Sequence, residues 1–69
     1  MKKSEKKMLK MLEDENDDEK RGYILKELYL LTGKKEYRVN GLKALSSAYK
    51  ARPSIYISSA LKEIQQRDC

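Results

Sequence analysis

The chemistry that this sequence could support rests on its basic side chains, six of which stand close together in the chain. Residues 34–52 contain these six cations and a single acid, Glu36. Clustered lysine and arginine side chains attract the phosphates of a nucleic acid or the carboxylates of an acidic protein surface. The six cations are Lys34, Lys35, Arg38, Lys43, Lys50 and Arg52.

Two of these cations have the spacing of one helical face. Lys43 and Lys50 are seven residues apart, which is two turns of an α-helix. A second polar face near the C-terminus contains Ser58 and Lys62, whose hydroxyl and ammonium groups can contact phosphates and base edges in a major groove. We therefore predict that Ser58, Lys62 and the six cations form a nucleic-acid-binding surface, with DNA favoured over RNA.

A second set of residues indicates a different function, the binding of another protein. Met8, Met11 and Leu12 form a small apolar patch on the first predicted helix, and methionine side chains adapt to varied partners. Ile55 lies opposite the apolar stripe of the last predicted helix, and Tyr56 follows it. The alternative prediction is therefore an adaptor or inhibitor of a larger protein, and the same residues could instead form a homodimer.

Catalysis finds little support in the residue types of the chain. There is no histidine, and the single cysteine, Cys69, is the last residue. The serines therefore have no histidine base, and the three glycines are not spaced as a phosphate-binding loop requires. We predict that the protein is not an enzyme, has no catalytic residues and uses no cofactor.

The acidic block at residues 13–19, with the sequence EDENDDE, is a candidate cation site because closely spaced carboxylates bind calcium. Read as a calcium-binding loop, it has Glu19 where a glycine is needed and Leu25 where a bidentate glutamate is needed. The pattern fails at both positions, so we predict no metal site. The block is predicted to be a solvated connector in which the carboxylate of Asp17 or Asp18 caps the next helix.

The net charge of +5 belongs to the second half of the chain. Residues 1–32 carry eight charges of each sign, whereas residues 33–69 carry eight basic and three acidic side chains. No apolar run approaches the roughly 18 to 20 residues that a membrane span needs. The chain also lacks the pattern of a secretory signal and has one unpaired cysteine, so we predict no membrane association and a cytoplasmic location.

The elements that must position these side chains are predicted to be helices, because apolar residues recur with helical spacing. We predict one small all-α domain over residues 1–69, a bundle of three to four short helices. Residues 1–16 are expected to be loosely attached, residues 34–39 to form an extended link, and residues 65–69 to fray. The predicted helices cover residues 4–14, 19–32, 41–50 and residue 54 onward.

Three residues are predicted to mark the ends of these helices. Gly33 should end the second helix in the left-handed conformation, Asn40 should cap the third, and Pro53 should separate the third from the fourth. Tyr49 is assigned to the core, which leaves Tyr37 and Tyr56 as tyrosines for a partner. The predicted core residues are Ile24, Leu28, Leu31, Leu42, Leu45, Tyr49, Ile57, Ala60, Leu61 and Ile64.

Overall fold

Four α-helices make up the fold. A computed structural model describes the backbone of residues 2–66 and the side chains of residues 5–66. Within that range there is no strand, and the predicted all-α class is confirmed. The helices are α1 (Lys2–Asp14), α2 (Asp18–Thr32), α3 (Lys35–Ala51) and α4 (Ile55–Gln66).

Helices α2 and α3 approach each other closely at two buried glycines. A Cβ atom added to Gly22 would lie 2.5 Å from the Leu45 Cγ atom and 3.2 Å from the Leu45 backbone nitrogen. A Cβ atom added to Gly41 would lie 3.3 Å from both the Ile64 Cδ1 and the Leu25 Cβ atoms. A glycine inside a helix costs about 0.5–1 kcal/mol relative to alanine. The close contact explains why glycines occupy these positions.

The core consists of two clusters of buried residues. The first joins α3 to α4, and Tyr23 and Tyr29 of α2 pack against it. Its buried members are Leu45, Ala48, Ile57, Ala60 and Ile64.

The second core cluster contains Leu25, Leu28 and Tyr37. Met8, Leu9 and Leu12 of α1 pack against it, which attaches α1 to α2. Five of the predicted core residues are buried, which confirms those predictions. They are Leu28, Leu45, Ile57, Ala60 and Ile64.

Helix α3 begins six residues earlier than predicted, at Lys35. The predicted extended link at residues 34–39 is therefore wrong, and Asn40 lies inside the helix instead of capping it. The reason is the buried face of α3, on which Tyr37, Gly41 and Leu45 recur at helical spacing. The sequence interpretation took Asn40 and Gly41 for a boundary, whereas Gly41 is needed for helix packing.

The longer α3 changes which tyrosines belong to the core. Tyr37 is 7% exposed, so its assignment to a partner surface is wrong. Tyr49 is 41% exposed and lies about 85° around the helix from the centre of the face formed by the buried residues of α3. Leu31 of α2 was also predicted to be buried and is 46% exposed, since it faces away from α3.

The helix ends agree with the predictions only in part. Gly33 has a φ of 75° and its N–H group donates to the Tyr29 carbonyl at 2.7 Å, so the predicted left-handed cap is confirmed. Asp17 is the N-cap of α2, but its carboxylate makes no capping hydrogen bond, which corrects that prediction. Ser54 Oγ accepts a hydrogen bond from the Tyr56 N–H group at 3.1 Å at the start of α4. Of the tail expected to fray, residues 65–66 are helical, and residues 67–69 lie outside the described range.

We expect the Gly22→Ala substitution to destabilise the fold by about 1–3 kcal/mol, the usual cost of overpacking a core. This loss exceeds the gain of about 1 kcal/mol in helix propensity, because Leu45 is fully buried and its backbone cannot retreat. Thermal unfolding followed by circular dichroism should show the midpoint lowered by roughly 4–8 °C per kcal/mol. Gly41→Ala should have a smaller effect and Ser46→Ala, at an exposed position, almost none. An unchanged midpoint for Gly22→Ala would contradict the close packing of α2 on α3.

Candidate nucleic-acid interface

Three lysines of the basic stretch share one exposed face of α3. At 100° per residue, Lys35, Val39, Lys43, Ser46 and Lys50 fall within an arc of about 80°. All five side chains are exposed. We call these five residues the lysine face.

The packing of α3 determines the direction of the lysine face. The buried residues Tyr37, Gly41 and Ala48 lie on the opposite side of the helix, where α3 packs against α2 and α4. Because α3 begins at Lys35, that residue joins Lys43 and Lys50 on one continuous helix. The distance along the helix axis from the first to the last of these lysines is about 22 Å.

Sequence reasoning missed Val39 as a member of this face because it placed that residue in an extended link. The recurrence of Tyr37, Gly41, Leu45 and Ala48 at helical intervals was the signal that could have identified the longer helix. A tyrosine and a glycine are weaker markers of a buried face than leucine or isoleucine. The helical spacing of these buried residues is therefore recognisable only if Gly41 is counted as one of them.

The lysine face has a positive field with little internal compensation. Glu36 is the only acid of α3. Among the described residues, Lys35, Lys43 and Lys50 form no ion pair within the chain. Their ammonium groups can therefore bind a phosphate without breaking an internal contact, and binding would release the phosphate's counterions.

Three of the six predicted cations, Lys34, Arg38 and Arg52, are not on the lysine face. Lys34 Nζ lies 3.3 Å from Glu5 Oε2 and 5.9 Å from the centre of the Tyr37 ring. Arg38 is half-buried and lies about 100° around α3 from the centre of the lysine face. The ion pair of Lys34 with Glu5 thus attaches α1 to the start of α3.

Arg52 lies among acidic residues instead of beside the three lysines. It follows the last turn of α3 and lines a shallow cleft together with Asp17, Asp18 and Glu19 of the connector and the start of α2. Asp18 also lines a neighbouring cleft with Lys43. These carboxylates reduce the positive potential at one edge of the lysine face, so a phosphate backbone is attracted more strongly to the other edge.

The predicted polar face of α4 is divided in the structure. Lys62 is exposed, whereas Ser58 is half-buried. The adjacent Glu63 is exposed and pairs with Lys26 of α2, with Nζ and Oε2 3.2 Å apart. Helix α4 therefore presents one isolated cation, and the basic surface with several aligned charges belongs to α3.

The residues of the protein-binding alternative lie in two separate places. Met8 and Leu12 are half-buried against the second core cluster, and Met11 is 48% exposed. Ile55 and Tyr56, at the start of α4, are 76% and 75% exposed. Helix α1 packs on α2 and, within the described residues, not on α4. The methionines and the Ile55–Tyr56 pair do not form one patch.

The described part of the chain contains neither a candidate metal site nor a candidate membrane span. No group of three or more acidic, cysteine or histidine side chains in it is arranged to hold a metal ion. None of its helices has the length and apolar character that crossing a bilayer requires.

Comparison with known proteins does not assign the chain to a family. No family model matches it, and neither the curated proteins nor the solved structures give a significant match. The geometry and charges of the chain itself are therefore the observations that bear on its function.

Glu5 connects α1 to the start of α3 through two contacts. Its Oε2 atom accepts a hydrogen bond from the Tyr37 hydroxyl at 3.0 Å and lies 3.3 Å from Lys34 Nζ. The hydrogen bond from Tyr37, followed by that from Lys34, lowers the pKa of the Glu5 carboxyl below its usual 4.5. In return Glu5 raises the pKa of Lys34, and burial followed by the bond to Glu5 raises the pKa of Tyr37.

These shifts predict how the stability contributed by Glu5 depends on pH. Because the pKa of Glu5 is lower in the folded state, its contribution is present above pH 4.5 and is lost as the pH falls below that value. Glu5→Gln should therefore be less stable than the wild type at pH 7, and the difference should be smaller at pH 3. Urea unfolding at both pH values measures this.

Glu13→Gln is the matched control, because Glu13 is an exposed acid of the same helix. It should change stability less than Glu5→Gln at pH 7. Equal effects of the two substitutions at neutral pH would contradict a specific role for the contacts of Glu5.

Proposed function

We propose that this chain is a small non-enzymatic regulator that binds double-stranded DNA through the lysine face of α3. The observation that carries the proposal is the alignment of Lys35, Lys43 and Lys50 on one exposed face, without ion pairs among the described residues. The rest of the fold holds that face outward through the buried contact of α3 with α2.

The dimensions of a helix suit the major groove of DNA. An α-helix with its side chains is about 10–12 Å wide, and the major groove of B-form DNA is about 12 Å wide. In this arrangement the lysines contact phosphates, while Ser46 and Val39 between them face sugars and base edges. The major groove of A-form RNA is too deep and narrow for such a helix, which favours DNA over RNA.

An acidic protein surface is the other partner that the charge of this face could attract. The two partners differ in geometry, because a duplex presents phosphates at regular intervals whereas carboxylates on a protein are irregularly placed. The regular alignment of the lysines along about 22 Å of helix favours the duplex. In this proposal the protein acts in the cytoplasm, and a homodimer would present two lysine faces.

The second candidate function is the binding of another protein, as an adaptor or inhibitor. The observation that favours it is the exposure of Ile55 and Tyr56 at the start of α4. Met8 and Leu12 support it less, because they attach α1 to the core. A protein partner is therefore expected at α4 and not at α1.

The proposed function is tested by removing the three lysine charges together. The variant Lys35→Gln, Lys43→Gln, Lys50→Gln should lose most of its affinity for a 20-base-pair duplex, measured by fluorescence anisotropy. Three phosphate contacts predict that wild-type affinity falls roughly 40-fold between 50 and 200 mM salt, since each contributes about 0.9 to the logarithmic slope. The variant should lose most of that salt dependence.

The matched control carries the same change of charge elsewhere, as Lys6→Gln, Lys10→Gln, Lys20→Gln. These three lysines are exposed on α1 and α2. The control should retain nearly all the affinity and the salt slope. Equal losses in both triple variants, or the absence of wild-type binding at 50 mM salt, would rule out the lysine face as a DNA-binding site.

A further inference from the structure

A groove between α2 and α4 is lined by more acidic than basic side chains, in contrast to the lysine face. It has a volume of about 470 Å³ and contains two tyrosines, two glutamates and a lysine among its lining residues. We propose that this groove, the tyrosine groove, binds the guanidinium group of an arginine in a basic segment of another protein. The residues that carry the proposal are Glu19, Tyr23, Lys26, Tyr56 and Glu63.

The aromatic rings supply the first element of cation recognition. Tyr56 is 75% exposed, and Tyr23 is half-buried against the first core cluster. The face of a tyrosine ring attracts a guanidinium group placed within about 6 Å of its centre. Because most of Tyr56 is outside the core, a ligand can cover its ring without disturbing the fold.

The carboxylates supply the second element. The Tyr23 hydroxyl donates a hydrogen bond to Glu19 Oε2 at 2.9 Å, which fixes the position of that carboxylate beside the ring. Burial, followed by the bond to Glu19, raises the pKa of Tyr23 and keeps its hydroxyl protonated as a donor. An arginine can bind a fixed carboxylate through two parallel N–H groups, an arrangement that a lysine cannot reproduce.

A lysine of the chain itself, Lys26, already pairs with two carboxylates at or near the groove. Lys26 Nζ lies 3.2 Å from Glu63 Oε2 and 3.8 Å from Glu27 Oε2, and its side chain is only 16% exposed. With Glu19, Glu27 and Glu63 around one lysine, the local charge is negative. A nucleic acid is repelled there and a basic peptide is attracted, so the groove and the lysine face select partners of opposite charge.

Ile55 does not line the groove but is the chain neighbour of Tyr56, which does. It precedes Tyr56 at the start of α4 and is 76% exposed, which offers an apolar contact for an aliphatic residue next to the bound arginine. One arginine and one apolar contact predict a weak complex, with a dissociation constant of about 0.1–1 mM for a short peptide.

A titration followed by nuclear magnetic resonance tests the proposal. The probe is the acetylated and amidated pentapeptide Gly-Leu-Arg-Leu-Gly, and its control is the same peptide with citrulline, which has no charge, in place of arginine. The arginine peptide should shift the amide signals of Tyr23 and Ser59, which lie at the groove, and the citrulline peptide should bind at least fivefold more weakly.

Two substitutions should change the affinity in opposite directions. Tyr56→Ala should weaken binding at least threefold, whereas Tyr49→Ala, at another exposed tyrosine, should leave it unchanged. Lys26→Met keeps most of the apolar stem but frees Glu63 from its ion pair, so it should tighten binding about three- to tenfold. Circular dichroism checks that each variant is folded.

Several results would overturn the proposal. They are equal binding of the two peptides, equal effects of Tyr56→Ala and Tyr49→Ala, or no shift at Tyr23 and Ser59 with 5 mM peptide. Signals at the groove that move with protein concentration alone would assign it to a second copy of the chain instead. None of these results depends on DNA binding, so the two proposals can fail separately.

Discussion

The close approach of α2 and α3 at Gly22 and Gly41 is the constraint on which the other features depend. Without a side chain at Gly22, Leu45 can pack against α2 and become fully buried, and without one at Gly41, Leu25 and Ile64 can approach α3. A chain of 69 residues buries few large side chains, and small domains have little stability in reserve. The glycine contact therefore determines both the helix spacing and how well the core is filled.

The same contact determines the direction of the two proposed binding surfaces. Once Gly41 faces α2, the rotation of α3 about its axis is set, and Lys43 and Lys50 must face outward. The first core cluster then attaches α4 to α3, which leaves the exposed start of α4 beside α2. One packing interaction thus places the basic surface and the acidic groove on different parts of the molecule.

The helical class, the turn at Gly33 and most of the core could be predicted from the sequence, because apolar spacing and a glycine at a helix end are local signals. The start of α3 could not, since Gly41 disfavours a helix locally and is explained only by contacts with Leu25 and Ile64. The grouping of Lys35 with the other lysines was missed for the same reason. Likewise, no sequence interval relates Tyr23 to Tyr56, which meet only when α4 packs on α2.

The lysine face is basic and the tyrosine groove carries more acids than bases, so charges of opposite sign are concentrated on different helices of one cationic chain. A charged partner exerts a torque on such a molecule before contact, because the field of the partner acts in opposite directions on the two surfaces. If the chain binds DNA as proposed, this torque turns it toward a productive orientation within about one Debye length of the partner, roughly 8–10 Å at moderate ionic strength. The arrangement of the charges then affects the encounter rate in addition to their sum.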